Sequence, residues 1–153
     1  MKRAFRLLLL AAVAGAAVFA FTRWPVLNDV ETGRTPEYPD LQPRAYAQGE
    51  DAVAKAARAA LGRLPRFTFV GSGSGRGGSE LQALATAPVI PVQSDVNVRI
   101  KRERGATRVS VRSRSRSGPF DLGQNARNVR EFLAALDQEL GAGPAAAERP
   151  AKP

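Results

Sequence analysis

Residues 94–140, SDVNVRIKRERGATRVSVRSRSRSGPFDLGQNARNVREFLAALDQEL, decide the fold. Val96, Val98 and Ile100 alternate with Asn97, Arg99 and Lys101, which is the period of a half-buried strand covering about residues 93–102. A turn at Glu103, Arg104 and Gly105 leads into a second strand, with Val109 and Val111 inward and Arg108, Ser110, Arg112 and Arg114 outward. Val111, Ser113, Ser115 and Ser117 share one face, so hydroxyls line the far end of that strand. A sharp corner, SRSGPFDLG, then turns the chain into an amphipathic helix. Asp121 is placed as its N-cap with Gln124 completing a capping box, Val129, Phe132, Leu133, Leu136 and Leu140 form its buried stripe, and Gly141 ends it.

Working outward, residues 50–64 read as an earlier helix, with Val53, Ala56, Ala57, Ala60, Leu61 and Leu64 at helical spacing and Pro65 as its stop. A short strand at 66–70 and another at 80–87 form a hairpin joined by GSGSGRGGS, which reads as a long flexible connection. Gly73, Gly75 and Gly78 satisfy the spacing of a dinucleotide fingerprint, but no helix begins after them, and the phosphate-cradling reading fails on context. These elements predict an α+β domain over residues 49–141: a four-stranded antiparallel meander with two helices packed on one face.

Before it, residues 25–48 read as a tether, since Pro25, Pro36, Pro39 and Pro43 block any long helix. Val26, Leu27, Tyr38, Leu41 and Tyr46 give that tether apolar points to lay along the domain. Residues 1–24 read as a membrane-targeting helix: Lys2, Arg3 and Arg6 precede a run at 7–22 that carries no charge. Two forms stay open. One is an uncleaved transmembrane anchor at 4–24 with Trp24 at the interface, single-pass in a bacterial cytoplasmic membrane; the other is a signal peptide cut after Val18-Phe19-Ala20. Either puts the domain on the periplasmic or extracytoplasmic side. Residues 142–153 read as a disordered tail.

Composition narrows the chemistry. With 153 residues there is room for one small domain of roughly 90 to 100 residues. The chain contains no Cys and no His, which excludes thiolate nucleophiles, Cys-based metal sites, and the usual general base of hydrolytic triads. No cofactor is implied. The net charge is +9, and eight basic residues (Arg99, Lys101, Arg102, Arg104, Arg108, Arg112, Arg114, Arg116) stand against the single acid Glu103 between Val96 and Gly118. A strip of that kind suits anionic lipid headgroups or an acidic protein partner. Nucleic acid fits it poorly, because no aromatic residue is interleaved and the alternation marks an ordered strand.

The candidate ligand-binding set is Asp95, Arg99, Arg112, Ser115, Arg116, Asp121, Gly123 and Asn125, drawn from neighbouring strands and a helix N-terminus. Free backbone N–H groups and the helix dipole near Gly123 would add to the arginine charge on an anion. A purely structural reading gives the same residues other tasks: Asp121 caps the helix, Asp95 pairs with a cross-strand Arg, and Asn125 bonds the corner backbone. An enzyme would have to use Asp95 or Asp121 as base, with Arg112 or Arg116 as electrostatic stabiliser. The leading expectation is a non-enzymatic envelope protein, with no catalytic and no metal-ligating residue assigned.

The runs SDVNVRI and RVSVRSRSRSGPFDLGQNARNVREFL, with NDVETGRTPEYPDLQP upstream, resemble the domain of unknown function 1499 family. On that resemblance Asp95, Val96, Arg99, Arg112, Ser113, Ser115, Arg116, Gly118, Asp121, Leu122, Gly123 and Asn125 occupy family positions. Two places depart from its pattern: Asn128 stands where an Arg is common, and Val89-Ile90-Pro91-Val92 where aromatic residues often precede the D-V step. The resemblance implies a domain and no activity.

Overall fold

The structure, a computed structural model, describes residues 2–23, 27–88, 92–119 and 121–141. The expected interfacial role of Trp24, the Val89-Ile90-Pro91 departure and the tail at 142–153 lie outside the described residues. The elements are α1 (Lys2–Arg23), β1 (Asp29–Glu31), β2 (Arg44–Tyr46), α2 (Glu50–Arg63), β3 (Phe67–Gly75), β4 (Gly78–Thr86), β5 (Gln93–Glu103), β6 (Ala106–Ser115) and α3 (Gln124–Glu139). The architecture is α+β, but the antiparallel sheet has six strands where the sequence predicts four. Its order is β1-β6-β5-β4-β3, with β2 also pairing β6.

The two extra strands come from the tether. β1 pairs with one end of β6 (Val30 opposite Ser113) and β2 with the other (Ala45 opposite Arg108), so the Pro-rich segment returns twice to the same edge. Apolar burial drives this: Val30, Leu41 and Tyr46 are all buried in the core. Thr32 fastens the midpoint by donating its N–H to the Val111 carbonyl at 3.0 Å and accepting the Val111 N–H at its hydroxyl, also at 3.0 Å. A strand edge that would otherwise be open is thereby closed.

The glycine-rich hairpin also differs from expectation. β3 and β4 stay paired from Phe67 opposite Ala85 to Gly75 opposite Gly78, leaving only Arg76 and Gly77 as the turn. Val70 is the extra residue of a bulge between Phe69 and Gly71. Gly78 is required where it stands, because its φ is +104° and a Cβ there would run into the Ile100 carbonyl. At the β5–β6 turn, Arg104 and Gly105 both take positive φ, 49° and 88°, the primed geometry that fits the twist of a hairpin.

α2 and α3 lie on one face of the sheet. Val53, Ala57, Ala60 and Leu61 of α2 and Val129, Phe132, Leu133 and Leu136 of α3 bury against Val96, Val98, Ile100, Val109 and Val111. An ion pair of Arg63 with Glu139 at 2.7 Å ties the helices together, and Arg66 reaches Glu131. The Tyr46 hydroxyl donates to the Asp137 carboxylate at 2.6 Å, which locks β2 to α3. Burial, and after it that hydrogen bond, push the Tyr46 phenol far above its ordinary pKa.

The entry to α3 is not the expected capping box. Leu122 and Gly123 take positive φ (52° and 75°), the helix begins at Gln124 with Gly123 as N-cap, and Asp121 stands two residues before the cap. From there its carboxylate still caps: Oδ1 accepts the Gly123 N–H at 2.8 Å and Oδ2 accepts the Asn125 N–H. Gln124 does not reach back. Its side chain donates to Asn128 Oδ1 at 2.9 Å and accepts from Arg127 at 3.1 Å, because with Gly123 as N-cap it is the first helical residue, not the third that a capping box requires.

Among the described residues no helix is long and apolar enough to cross a membrane, which leaves the spanning anchor expected at 4–24 without structural support.

Candidate functional site

Strand parity divides the candidate residues between the two faces of the sheet. Ser94, Val96, Val98 and Ile100 of β5 are buried beneath the helices, as are Thr107, Val109, Val111, Ser113 and Ser115 of β6. Asp95, Arg99, Arg112 and Arg116 have the opposite parity and lie on the outer face, away from α2 and α3. Ser115 and Asn125 lie on the inner side, fully within the protein. The single corner read from the sequence is therefore two separate environments.

On the inner side the polar groups satisfy one another. Asn125 Nδ2 donates to the Asn28 carbonyl and to Ser115 Oγ, each at 2.9 Å, and its Oδ1 accepts from Ser113 Oγ at 2.7 Å. Asn128 donates to Ser113 at 3.2 Å, and Ser94 stands 3.5 Å from Ser115. The backbone of residues 27–28 closes the corner from above: the Leu27 carbonyl accepts the Asp121 N–H at 3.0 Å and the Asn28 carbonyl accepts the Ser115 N–H at 2.9 Å. At the helix start, the N–H groups of Gly123, Gln124 and Asn125 all go to Asp121, through its carboxylate or its carbonyl. An anion arriving at Gly123 would find those donors already used. Asn28, Gln124 and Asn128 are the members of this network that the sequence reading missed. A signal existed for Asn128, which falls with Asn125 on the same helical face as Phe132 and so had to be buried.

On the outer side, register lays out two transverse rows. Gly73, Glu80, Arg99 and Ser110 are successive partners from β3 across to β6, and Gly71, Gln82, Asn97 and Arg112 form the next row. Two depressions open on these rows. One, of about 580 Å³, is lined by the glycine-serine hairpin together with Glu80, Gln82 and Arg99. The other, of about 310 Å³, shares those three residues and extends to Glu31, Arg34, Asn97, Ser110 and Arg112. The Val111 side chain is buried on the inner face, and the other side chains around both are polar, charged or absent.

The outer arginines differ in how far they are neutralised. Arg112 grips Asp29 with two of its nitrogens, Nε donating to Oδ1 at 2.9 Å, and holds the Asp29 carboxyl below the usual carboxylate range. Arg116 donates twice to Asp95 Oδ1, at 3.0 and 2.8 Å, and its own pKa rises in response. Asp95 does pair with a cross-strand Arg, as the structural reading expects. Arg99 is exposed and, among the described residues, makes no hydrogen bond or ion pair. It borders both depressions, which makes it the one member of the candidate set whose charge is still available there. Of the two carboxylates considered as a base, Asp121 spends both oxygens on backbone N–H groups, while Asp95 pairs with Arg116 through Oδ1 and stays partly exposed.

No curated protein matches the chain. Among solved structures it is similar to the crystal structure of Ara h 8.0201, at 11% identity over 74% of this chain and 97% of that one; the TM-score of 0.33 is too low for the likeness to bear on fold or ligand. The model of the family described as protein of unknown function (DUF1499) matches residues 20–136, and the chain belongs to that family.

Proposed function

We propose that the protein is a non-enzymatic binding domain of the cell envelope, which takes an anionic group on the outer face of its sheet through Arg99. The observation that carries this reading is the contrast among the outer arginines: Arg112 and Arg116 are each tied to a carboxylate, and Arg99 is not. A guanidinium left without a partner beside two open polar depressions is a ready donor for a phosphate or carboxylate. The reading as a carboxylate-dependent enzyme has less support, since Asp121 is engaged in capping α3 and Asp95 is paired with Arg116.

The envelope location rests on the sequence of α1, in which Lys2, Arg3 and Arg6 precede an uncharged run at residues 7–22. In this reading the segment directs the chain to the cytoplasmic membrane, with the domain on the extracytoplasmic side. Carbonate extraction of membranes, compared with osmotic release of the periplasm, separates a retained anchor from a cleaved signal.

The binding claim is tested on the full-length chain in neutral detergent by titrating inorganic phosphate and following the melting transition. Arg99→Gln should weaken binding about tenfold or more, equivalent to about 1.4 kcal/mol. Arg63→Gln, which removes a cation paired with Glu139 away from the sheet's outer face, should leave it unchanged. Equal binding by the wild type and Arg99→Gln would refute the assignment.

A further inference from the structure

The glycines of β3 and its turn are explained neither by backbone geometry nor by crowding. Gly71, Gly73, Gly75 and Gly77 are absent from the positions with positive φ, and a Cβ built on any of them meets nothing within 4 Å. Gly78, by contrast, is demanded on both counts. Glycine weakens a strand, and an unforced glycine within one marks a bulge, as at Gly71 beside Val70, or a place where a ligand or another backbone approaches closely, as Gly73 and Gly75 allow. Register shows which surface is kept bare: Gly71, Gly73 and Gly75 are direct partners of Gln82, Glu80 and Gly78, so they share the outer face with the two polar side chains. The result is a floor without side chains beside Arg99, at the bottom of the depression of about 580 Å³.

From this floor we infer that the trough accepts a phosphorylated polyol, such as a glycerophosphate or sugar phosphate group; the inference rests on the Arg99 reading above. The phosphate sits on Arg99. The hydroxyl-bearing carbons lie against the glycine floor, and the hydroxyls bond Glu80, Gln82 and Asn97. The lining sets the class. It has no aromatic side chain to stack a base and, with the Val111 side chain buried on the inner face, nothing apolar to hold an acyl chain. Glu80 stands directly across from Arg99 and disfavours a second anionic group, while accepting hydroxyl donors. A single anionic group followed by neutral hydroxyls fits that order. Such a group can come from a soluble sugar phosphate or from a phosphatidylglycerol headgroup.

The test is Gly73→Val in the full-length chain in neutral detergent. A β-branched residue suits a strand and nothing opposes its Cβ, so the fold and melting transition should be retained. Affinity for sn-glycerol 3-phosphate should fall about tenfold or more, while affinity for inorganic phosphate stays within about twofold. Micelles doped with phosphatidylglycerol form the second arm. Protection by the lipid that Gly73→Val removes assigns the headgroup as the source, and protection by the soluble phosphate alone assigns the free compound. If Gly73→Val binds sn-glycerol 3-phosphate as well as the wild type, or if the wild type binds it no better than phosphate, the trough is overturned while the Arg99 reading stands. If neither probe binds the wild type, both fall together.

Discussion

The two faces of this sheet carry similar polar residues and put them to opposite use. On the inner face, Ser113, Ser115, Asn125 and Asn128 are buried and each finds a partner within the protein. On the outer face, Glu80, Gln82, Asn97 and Arg99 line open depressions, and Arg99 has no partner among the described residues. A buried polar group left unpaired is costly, so a network that closes on itself is a structural device. An exposed polar surface with a guanidinium that makes no hydrogen bond or ion pair among the described residues, beside a glycine floor, is under no such constraint, and that freedom is what a binding surface uses. Polar clustering alone therefore does not identify a site; the decisive question is whether the groups are already satisfied.

Substitutions can break or sharpen this contrast, and the largest effect is expected inside. Asn125→Ala removes bonds to Ser113, Ser115 and the Asn28 carbonyl and leaves these groups buried, so it should lower stability by about 2–3 kcal/mol in urea denaturation. Phosphate affinity of the fraction that remains folded should not change. A loss of binding without a loss of stability would move the site back to the corner.

A smaller effect, with a pH signature, is expected at the β2–α3 contact. Tyr46→Phe deletes a hydrogen bond to Asp137 worth about 1.5–2 kcal/mol. The folded Tyr46 pKa is raised, so its contribution is full below the ordinary phenol value of 10.0 and declines as pH rises above it, where only the unfolded chain ionises. Thermal melts between pH 9 and about 11 should therefore converge for the wild type and Tyr46→Phe. Parallel curves across that range would show that the phenol ionises alike in both states.

The smallest effect belongs to the outer ion pairs. Asp29→Asn should cost under about 1 kcal/mol, because the side chains of Asp29 and Arg112 are both partly exposed. The folded Asp29 pKa is lowered from 3.8, so what stability the pair adds is present above that value and is lost as pH falls through the lowered one. The variant should flatten the acid limb of a stability curve while freeing Arg112 to bind phosphate more tightly. A large loss of stability at neutral pH would mean that the outer face is part of the scaffold after all.

Much of this arrangement is legible in the sequence, for reasons tied to element length. α2, α3, β5 and β6 are long enough for their periods to show, and Val96, Val98, Ile100, Val109 and Val111 do point inward. β1 and β2 are three residues each, too short to alternate, and lie among prolines; only isolated apolar residues (Val26, Leu27, Tyr38, Leu41 and Tyr46) signal in the sequence that the tether docks. The glycine run reads as a loop in the sequence because glycine disfavours strands, and the strands continue through it only by pairing between β3 and β4. Gathering Ser115 and Asn125 with Arg99 and Arg112 overlooked parity that was already visible, because Ser113 and Ser115 share a face with Val111. Partner satisfaction is different: nothing in the sequence distinguishes Arg99 from Arg112, since the neutralising Asp29 lies on a strand the sequence did not reveal.

The most direct test of the account is a backbone amide NMR titration of the full-length chain with sn-glycerol 3-phosphate. Perturbations concentrated at residues 71–80, 82, 97 and 99, with Ser115 and residues 121–125 unmoved, are the expected result. Perturbations gathered at Asp121, Gly123 and Asn125 would contradict it and make the helix corner, not the open face, the binding site.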